Sequence, residues 1–305
     1  MARMYEKVYF GDTLVDSNDA NLSVGSSAVL YGLSVYTVFP VCKTAHGLAA
    51  FRLSDHYKRL VDSAKIMGID TFVPDWSFER FEKVAKELIQ ANSVTTDVFV
   101  RATVHVSELI PGTRSRGLTT TVSMFIYDAT PIVPQTGARL KTSVWRRVPD
   151  YAIPSRAKVN GAYVNSVLAR QDALDSGYDD CVFLDCNGHV CEASAANIFL
   201  VRDGVLITPD TSSDILEGIN RRTILAVARD MNIPTVERVV DLTELYVADE
   251  VFLCGTSAYI APIKTIDARD IKSAPGTITA RLQEMHTSIL HGTSPMYQHF
   301  LTQVG

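Results

Sequence analysis

The sequence predicts an α+β protein with a small N-terminal α/β domain and a larger C-terminal domain rich in antiparallel strands. The chain has 305 residues, about twice the length of a typical single domain. Segments with helical periodicity and segments with strand periodicity both occur along it. Residues 128–137, DATPIVPQTG, contain prolines and a glycine but no periodicity, which is typical of a linker. We therefore expect domains at 1–127 and 138–305.

The N-terminal domain is expected to contain a hairpin, two helices and two further strands. The hairpin joins 5–10 to 13–15 through the turn Gly11-Asp12. Apolar residues at helical spacing predict helices at 56–67 and 78–91. Residues 98–106 are rich in β-branched side chains and predict a strand, and a second strand follows at 118–126 after a Pro-Gly turn.

The C-terminal domain is expected to alternate strands with a few helices. Strands are predicted at 139–148, 181–185, 189–193, 197–201, 205–208 and 250–254, and helices at 161–176 and 219–231. The turns Asn187-Gly188 and Asp203-Gly204 separate closely spaced strands. Because such dipeptides favour tight hairpins, these neighbouring strands should be antiparallel.

Composition excludes several classes of protein. A net charge of −5 gives no general reason to bind nucleic acid or an anionic membrane. The sequence has neither a secretory signal nor a run of 18 apolar residues, so we expect a cytoplasmic protein without membrane association. Five cysteines without CxxC spacing and seven scattered histidines predict reduced thiols and no metal site. The GxGxxG, Walker, HExxH and GxSxG motifs are absent.

A lysine and a glutamate are the first candidates for chemistry. Lys158 lies in PSRAKVNGAY. A confined lysine loses its proton more easily than one in water, and the neutral amine can form a Schiff base, although a solvated loop lysine is the alternative. Glu192 lies on an apolar strand, where burial requires a cationic partner such as a protonated pyridine nitrogen. Its alternative is the solvent-exposed face of the strand.

Two segments could receive a phosphate group. Gly218-Ile219-Asn220 stands at a predicted helix start, which offers unpaired N–H groups and the positive end of the helix dipole. Gly255-Thr256-Ser257 follows a strand and offers a turn with two hydroxyl groups. Helix starts of this kind are common, so neither segment identifies a ligand by itself.

Six motifs together identify a family resemblance. They are YGLSVY at 31–36, RLVDSAKIMGI at 59–69, AKVNGAYVNSVLA at 157–169, VCEASAANIFLVRDGVLITP at 190–209, LEGINRRTI at 216–224 and LYVADEVFLCGTSAYIAPI at 245–263. The chain resembles the fold-type IV pyridoxal-phosphate enzymes, and within them the branched-chain amino acid aminotransferases. The resemblance implies a D-amino acid aminotransferase-like fold of two domains with pyridoxal 5′-phosphate as cofactor.

The resemblance also implies a role for individual residues. Lys158 matches the Schiff-base lysine that shuttles the proton, and Glu192 matches the carboxylate facing the pyridine nitrogen. The remaining cofactor-binding matches are Tyr163 at O3′, Leu216 on the ring face, and Arg59, Ile219, Asn220 and Thr256 around the phosphate. The matches to the substrate side are Tyr31, Tyr36, Phe99, Arg101, Ser257 and Ala258.

The implied reaction is a ping-pong transamination between branched-chain or other hydrophobic L-amino acids and 2-oxoglutarate, in a homodimer or larger homo-oligomer. Several positions depart from the family pattern. Phe99 replaces a tyrosine whose hydroxyl helps to hold the α-carboxylate, while Arg101 is retained. The other departures are TVFP at 37–40 for Glu-Gly-Ile-Arg, Asn220 for threonine and Ala162 for asparagine. Arg114 and Arg116 could bind a carboxylate or could be solvated turn residues.

Three functions therefore stay open at this stage. The first is the branched-chain aminotransferase. The second keeps fold and cofactor but acts on D-amino acids or primary amines, or is an aminodeoxychorismate lyase, although the motif GAYVNS is closer to the branched-chain enzymes. The third is a non-catalytic relative, against which the intact Lys158, Glu192 and Arg59 argue.

Overall fold

The computed structural model describes residues 2–305, which divide into two compact units. Unit 1 contains the chain up to Thr130 together with Ala157–Gly161 and Ile289–Gly305, and unit 2 contains Pro131–Arg156 and Ala162–Ser288. The first crossing between the units lies inside 128–137. Unit 1 is thus built from three segments of the chain and unit 2 from two.

Unit 1 is built on one seven-stranded antiparallel sheet in the order β16-β4-β3-β5-β6-β1-β2. Its strands are β1 (Lys7–Phe10), β2 (Thr13–Asp16), β3 (Ser34–Thr44), β4 (Gly47–Phe51), β5 (Val98–Val106), β6 (Thr120–Asp128) and β16 (Leu301–Gln303). Its helices are α1 (Ser27–Leu30), α2 (Leu53–Ile66), α3 (Phe78–Ala91) and a 3-10 helix at Pro295–Phe300. The hairpin, both long helices, β5 and β6 confirm the sequence prediction to within a few residues.

Helices α2 and α3 cover one face of this sheet. Phe39 of β3 is fully buried, and its ring centroid lies 5.9 Å from that of His56 on α2 and 6.0 Å from that of Phe81 on α3. Side chains alternate along a strand, so residues 36 and 38 of β3 point to the opposite face. That opposite face carries the candidate residues Tyr36, Phe99 and Arg101, whereas Arg59 lies on helix α2.

Unit 2 is built on a nine-stranded mixed sheet. Its strands are β7 (Ala138–Thr142), β8 (Asp180–Leu184), β9 (Val190–Ala193), β10 (Asn197–Arg202), β11 (Val205–Thr208), β12 (Thr235–Glu237), β13 (Glu250–Gly255), β14 (Tyr259–Ile266) and β15 (Arg269–Asp270). Its helices are α4 (Tyr163–Asp175), α5 (Ile219–Asp230), α6 (Leu242–Tyr246) and α7 (Thr277–Leu290), the last two residues of which belong to unit 1. A pairing between β9 and β10 closes β10, β13, β14, β7, β8 and β9 into a ring.

The pairing of neighbouring strands in unit 2 confirms the turn analysis. Strands β8, β9, β10 and β11 pair antiparallel in succession. Strand β7, in contrast, is parallel to both β8 and β14. The prediction of a strand over 139–148 was wrong beyond Thr142, because the Asp267 carboxylate accepts the Thr142 amide and hydroxyl at 2.7 and 2.5 Å and ends the strand pairing there.

Candidate active site

Lys158 lies on a short segment of unit 1 that runs beside the start of β3. The Tyr36 amide donates to the Lys158 carbonyl at 3.0 Å, and the Asn160 amide donates to the Ser34 carbonyl at 2.9 Å. Val35 and Val159 form an isolated antiparallel bridge between these contacts. The Lys158 backbone is therefore held on both sides by strand-like hydrogen bonds, which places its side chain on a rigid element.

Two glycines bring this segment close to the chain that enters β3. The Gly161 amide donates to the Gly32 carbonyl at 3.2 Å, and Gly32 has a φ of 64°. A Cβ atom on Gly32 would lie 2.9 Å from the Gly161 Cα, a distance that real Cβ contacts avoid. Glycine at position 32 is therefore required both by its positive φ and by this close approach.

Ser63 joins the Lys158 segment to helix α2. Its side chain is fully buried; the hydroxyl donates to the Arg59 carbonyl at 2.7 Å and accepts from the Lys158 amide at 3.0 Å. Ser63 is thus hydrogen-bonded to the backbone of both cationic candidates, Arg59 and Lys158. Ser63 lies within the motif RLVDSAKIMGI, but nothing in the sequence distinguishes it from an ordinary helix serine.

A second buried contact orients Arg59. Its Nη2 donates to the Thr37 hydroxyl at 3.3 Å, and the same hydroxyl lies 2.8 Å from His56 Nδ1. Thr37 and His56 are both almost inaccessible to solvent. Thr37, one of the departures from the family pattern, therefore contributes an uncharged hydroxyl to the arginine.

The ring of Tyr36 lies under two cations. The Arg101 guanidinium carbon is 3.7 Å from its centroid, and the Lys158 Nζ is 4.9 Å away. Both distances are within the range of cation–π attraction. Arg101 also donates from Nη2 to the Asn160 Oδ1 at 3.1 Å, so the arginine is bound to the same segment as the lysine.

The other sequence candidates of unit 1 lie in different surroundings. Tyr31, directly after α1, is 48% exposed, whereas Phe99 is fully buried on β5. Phe99 faces Tyr127 of β6 across the sheet, with ring centroids 5.6 Å apart. Arg114 and Arg116 are exposed.

Glu192 in unit 2 is a buried carboxylate with three donors. Its side chain is 7% exposed; Oε1 lies 2.8 Å from Arg147 Nη2, and Oε2 accepts from Asn197 Nδ2 at 3.0 Å and from the Leu216 amide at 3.2 Å. The alternative of a solvent-exposed glutamate is therefore wrong. Arg147 supplies the cation that burial of a carboxylate requires. Sequence reasoning missed this partner, which lies far from Glu192 along the chain.

Asn197 brings together the candidate segments of unit 2. It pairs with Glu192 of β9 on one side and with Cys254 of β13 on the other, and its side chain also donates to the Leu216 carbonyl at 2.9 Å. A Cβ atom on Gly218 would conflict with Asn197 Oδ1, so a larger residue would require the Asn197 side chain to move. Glu192, the start of α5 and the turn after β13 are thus neighbours.

The remaining residues of unit 2 occupy element ends. Tyr163 is the first residue of α4, and Ile219 and Asn220 are the buried first residues of α5. Gly218, the residue before α5, has no side chain that could cap the helix, and a helix start of this kind can bind an anion. Thr256, Ser257 and Ala258 form the turn between β13 and β14, where the Ser257 carbonyl accepts from the Ile132 amide at 3.0 Å.

Comparison with known proteins identifies the family. The model of amino-transferase class IV matches residues 36–266, which contain the Lys158 segment, Glu192 and the turn at Thr256. The chain belongs to the class IV aminotransferase family. This membership confirms the resemblance, the two-domain fold-type IV assignment and the expectation of an enzyme.

Relatives of this aminotransferase cover nearly the whole chain. A probable branched-chain-amino-acid aminotransferase of Synechocystis sp. is 33% identical over 97% of this chain and 96% of its own. The branched-chain-amino-acid aminotransferase of Escherichia coli K12 is 32% identical over 97% of both chains.

Solved structures of named aminotransferases match equally well. The branched-chain aminotransferase of Thermoproteus uzoniensis, solved with norvaline, has a TM-score of 0.95 at 36% identity, covering 99% of this chain and 100% of its own. The branched-chain amino acid aminotransferase of Thermobaculum terrenum, solved in its PLP form, has a TM-score of 0.91 at 30% identity and covers 99% of both chains.

Two further properties concern residues 2–305. None of their helices has the length and apolar character needed to span a bilayer. Nor do they gather three or more His, Cys, Asp or Glu side chains in an arrangement able to hold a metal ion.

Proposed function

We propose that this aminotransferase moves the amino group between branched-chain or other hydrophobic L-amino acids and 2-oxoglutarate, with pyridoxal 5′-phosphate as cofactor. The observation that carries the proposal is the pair of cations on the Tyr36 ring, Lys158 and Arg101. An amine that can bond to a carbonyl and a guanidinium that can bind a carboxylate are the two groups that an amino acid requires. The relatives named for branched-chain substrates support the substrate class.

The residues present fit the cofactor. When bound, pyridoxal phosphate supplies an electron-accepting ring. Lys158 would hold its aldehyde carbon and would move the proton at the substrate Cα. Glu192, paired with Arg147 and Asn197, would hold the proton on the pyridine nitrogen, while Leu216 would lie against the ring and Tyr163 would bind O3′.

Each unit contributes candidate ligands for the phosphate. Arg59 supplies the charge, and its guanidinium is oriented by Thr37. Ile219 and Asn220 supply N–H groups at the uncapped start of α5, and Thr256 supplies a hydroxyl. A phosphate dianion would interact favourably with the positive end of the α5 dipole and with the Arg59 charge.

On the substrate side, aromatic residues would contact the aliphatic side chain and charged or polar groups would bind the carboxylate. Tyr36 and Phe99 are buried aromatic rings suited to an aliphatic side chain, and Tyr31 adds an exposed ring. Arg101 would supply a cation for the carboxylate, a role to which the family resemblance also assigns Ser257 and Ala258. This division explains how a hydrophobic amino acid is accepted while its carboxylate is still recognised.

We also propose a cytoplasmic homodimer. Val24, Leu109 and Ile110 are 82%, 58% and 80% exposed. They lie together because the Ile110 amide donates to the Gly25 carbonyl at 3.0 Å and Ser26 forms a bridge with Leu109. An exposed apolar cluster of this kind is typical of a surface covered by another subunit. The five free cysteines fit a reducing compartment.

The proposal is tested by half-reactions of the purified enzyme. Loss of the visible absorption band of the bound cofactor is followed with L-leucine, L-glutamate, D-alanine and a chiral arylamine. We expect L-leucine and L-glutamate to react fastest. Borohydride reduction and peptide mapping should label Lys158, and Lys158→Ala should abolish turnover while the fold is retained. A label on another lysine would refute the assignment.

One observation favours a second candidate. Phe99 presents no hydroxyl where the family pattern has a tyrosine, and positions 38 and 40 are the uncharged Val38 and Pro40. A site with fewer polar groups for the carboxylate is better suited to primary amines. Faster reaction of the arylamine than of L-leucine in the same panel would favour this candidate.

A further inference from the structure

One face of the sheet in unit 1 carries a cation, an amine and a phenol. Val38 of β3 pairs with Arg101 of β5, and Arg101 pairs with Phe125 of β6. Phe99 and Tyr127 form the next cross-strand pair on the same face, because directly paired residues share a face and alternate residues repeat it. This is the face on which Lys158 and Arg101 contact the Tyr36 ring.

The Tyr127 ring is fixed by its neighbours while its hydroxyl is not used by the protein. The ring centroid lies 5.6 Å from that of Phe99 and 5.9 Å from that of Phe125. Within residues 2–305 the hydroxyl makes no hydrogen bond to another residue, although the side chain is half-buried. Tyrosine hydroxyls in such surroundings usually have a partner, because an unpaired polar group is costly to shield from water.

The phenol of Tyr127 interacts electrostatically with the guanidinium of Arg101. Burial raises the pKa of Tyr127, and the positive charge of Arg101 acts in the opposite direction. The phenol therefore lies in shielded surroundings within electrostatic reach of the guanidinium, and it remains a neutral hydrogen-bond donor at neutral pH. Arg101 engages Nε with Thr103 and Nη2 with Asn160, which leaves donors of its guanidinium for a ligand.

We propose that Tyr127 is a specificity-determining residue that donates its hydroxyl to the substrate carboxylate bound by Arg101. The inference rests on the proposed function and adds a residue to its substrate site. A carboxylate has two oxygens and accepts from a guanidinium and a phenol together. Phe99 cannot donate, but its ring supports that of Tyr127. The sheet thus supplies from β6 the hydroxyl that the paired position on β5 lacks.

The test compares two ligands that differ only in the carboxylate. L-leucine and 3-methylbutan-1-amine share the amine and the side chain. Apparent dissociation constants are measured on the holoenzyme from the concentration dependence of the half-reaction, and the amine is also measured as a competitor of L-leucine. Tyr127→Phe should weaken L-leucine about tenfold, the effect of one charge-assisted hydrogen bond, and leave the amine unchanged.

Two variants complete the experiment. Tyr178→Phe removes the hydroxyl of another half-buried tyrosine, in unit 2, and should change neither ligand. The exchange Phe99→Tyr with Tyr127→Phe moves the hydroxyl across the strand pair and should restore much of the L-leucine affinity. Retained affinity in Tyr127→Phe, or equal weakening of both ligands, would overturn the inference. A wild-type enzyme inert to every amino acid would instead refute the proposed function, and the inference with it.

Discussion

The ion pair between Arg147 and Glu192 gives the sharpest test of how unit 2 is stabilised. Replacing Arg147 with methionine keeps an unbranched apolar stem but leaves a carboxylate that is only 7% exposed without its cation. Breaking a buried pair from one side destabilises a protein by about 3–5 kcal/mol. Asn197 and the Leu216 amide still donate to Oε2, so we expect the lower end, about 3 kcal/mol. This corresponds to a fall in Tm of roughly 6–12 °C.

Calorimetry of the full chain measures this fall in Tm. Two further variants show whether burial of the unpaired charge is its cause. Arg156→Met breaks two exposed pairs, with Glu217 at 3.1 Å and with Asp150 at 3.3 Å, and Tm should change by no more than about 2–4 °C. Arg147→Met combined with Glu192→Gln removes the buried charge and should recover much of the loss. Equal falls for Arg147→Met and Arg156→Met, or no recovery in the double variant, would show that burial of the charge is not the cause.

Three further predictions follow from other sites. Glu192→Gln should bind the cofactor but lower kcat by orders of magnitude, since an amide cannot hold the pyridine proton; near-normal turnover in steady-state assays would contradict this role. Iodoacetamide should label the exposed Cys186 in the folded protein and spare Cys42, because burial raises the pKa of the Cys42 thiol to about 12; peptide mapping checks this. Burial and the nearby Arg101 lower the pKa of His105 from 6.5 to about 4, so the unfolded chain binds the proton first and stability should fall from pH 6.5 to 4. Urea titrations should show a shallower fall for His105→Gln, by at most about 1.4 kcal/mol per pH unit.

Local patterns predicted elements where packing agrees with propensity. The expected bounds of α3 and β5 are those observed, because an apolar stripe or a β-branched run is buried along its whole length. Strand β3 was not predicted, although YGLSVY overlaps it. Pro40 lies in its middle, and proline normally argues against a strand. It is tolerated because pairing with β4 begins only at Val41, so its missing N–H faces no partner there.

In the candidate site, too, some residues could be predicted from the sequence and others could not. Lys158 and Glu192 were candidates from the sequence because each is an ionisable residue in an apolar or small-residue stretch, and the family resemblance then assigned their roles. Ser63, Arg147 and Asn197 could not. Their residue types are common, and their importance comes from contacts with positions distant along the chain, which periodicity does not encode.

The last strand of unit 1 sets an order for folding during synthesis. Leu301 of β16 pairs with Phe51 of β4, about 250 residues earlier in the chain. At the usual 5–20 residues per second, the ribosome needs roughly 12–50 s to supply that partner. During this interval the outer backbone groups of β4 lack their neighbour while the whole of unit 2 emerges. The nascent chain thus carries an unpaired strand edge, the surface on which aggregation begins and which chaperones protect.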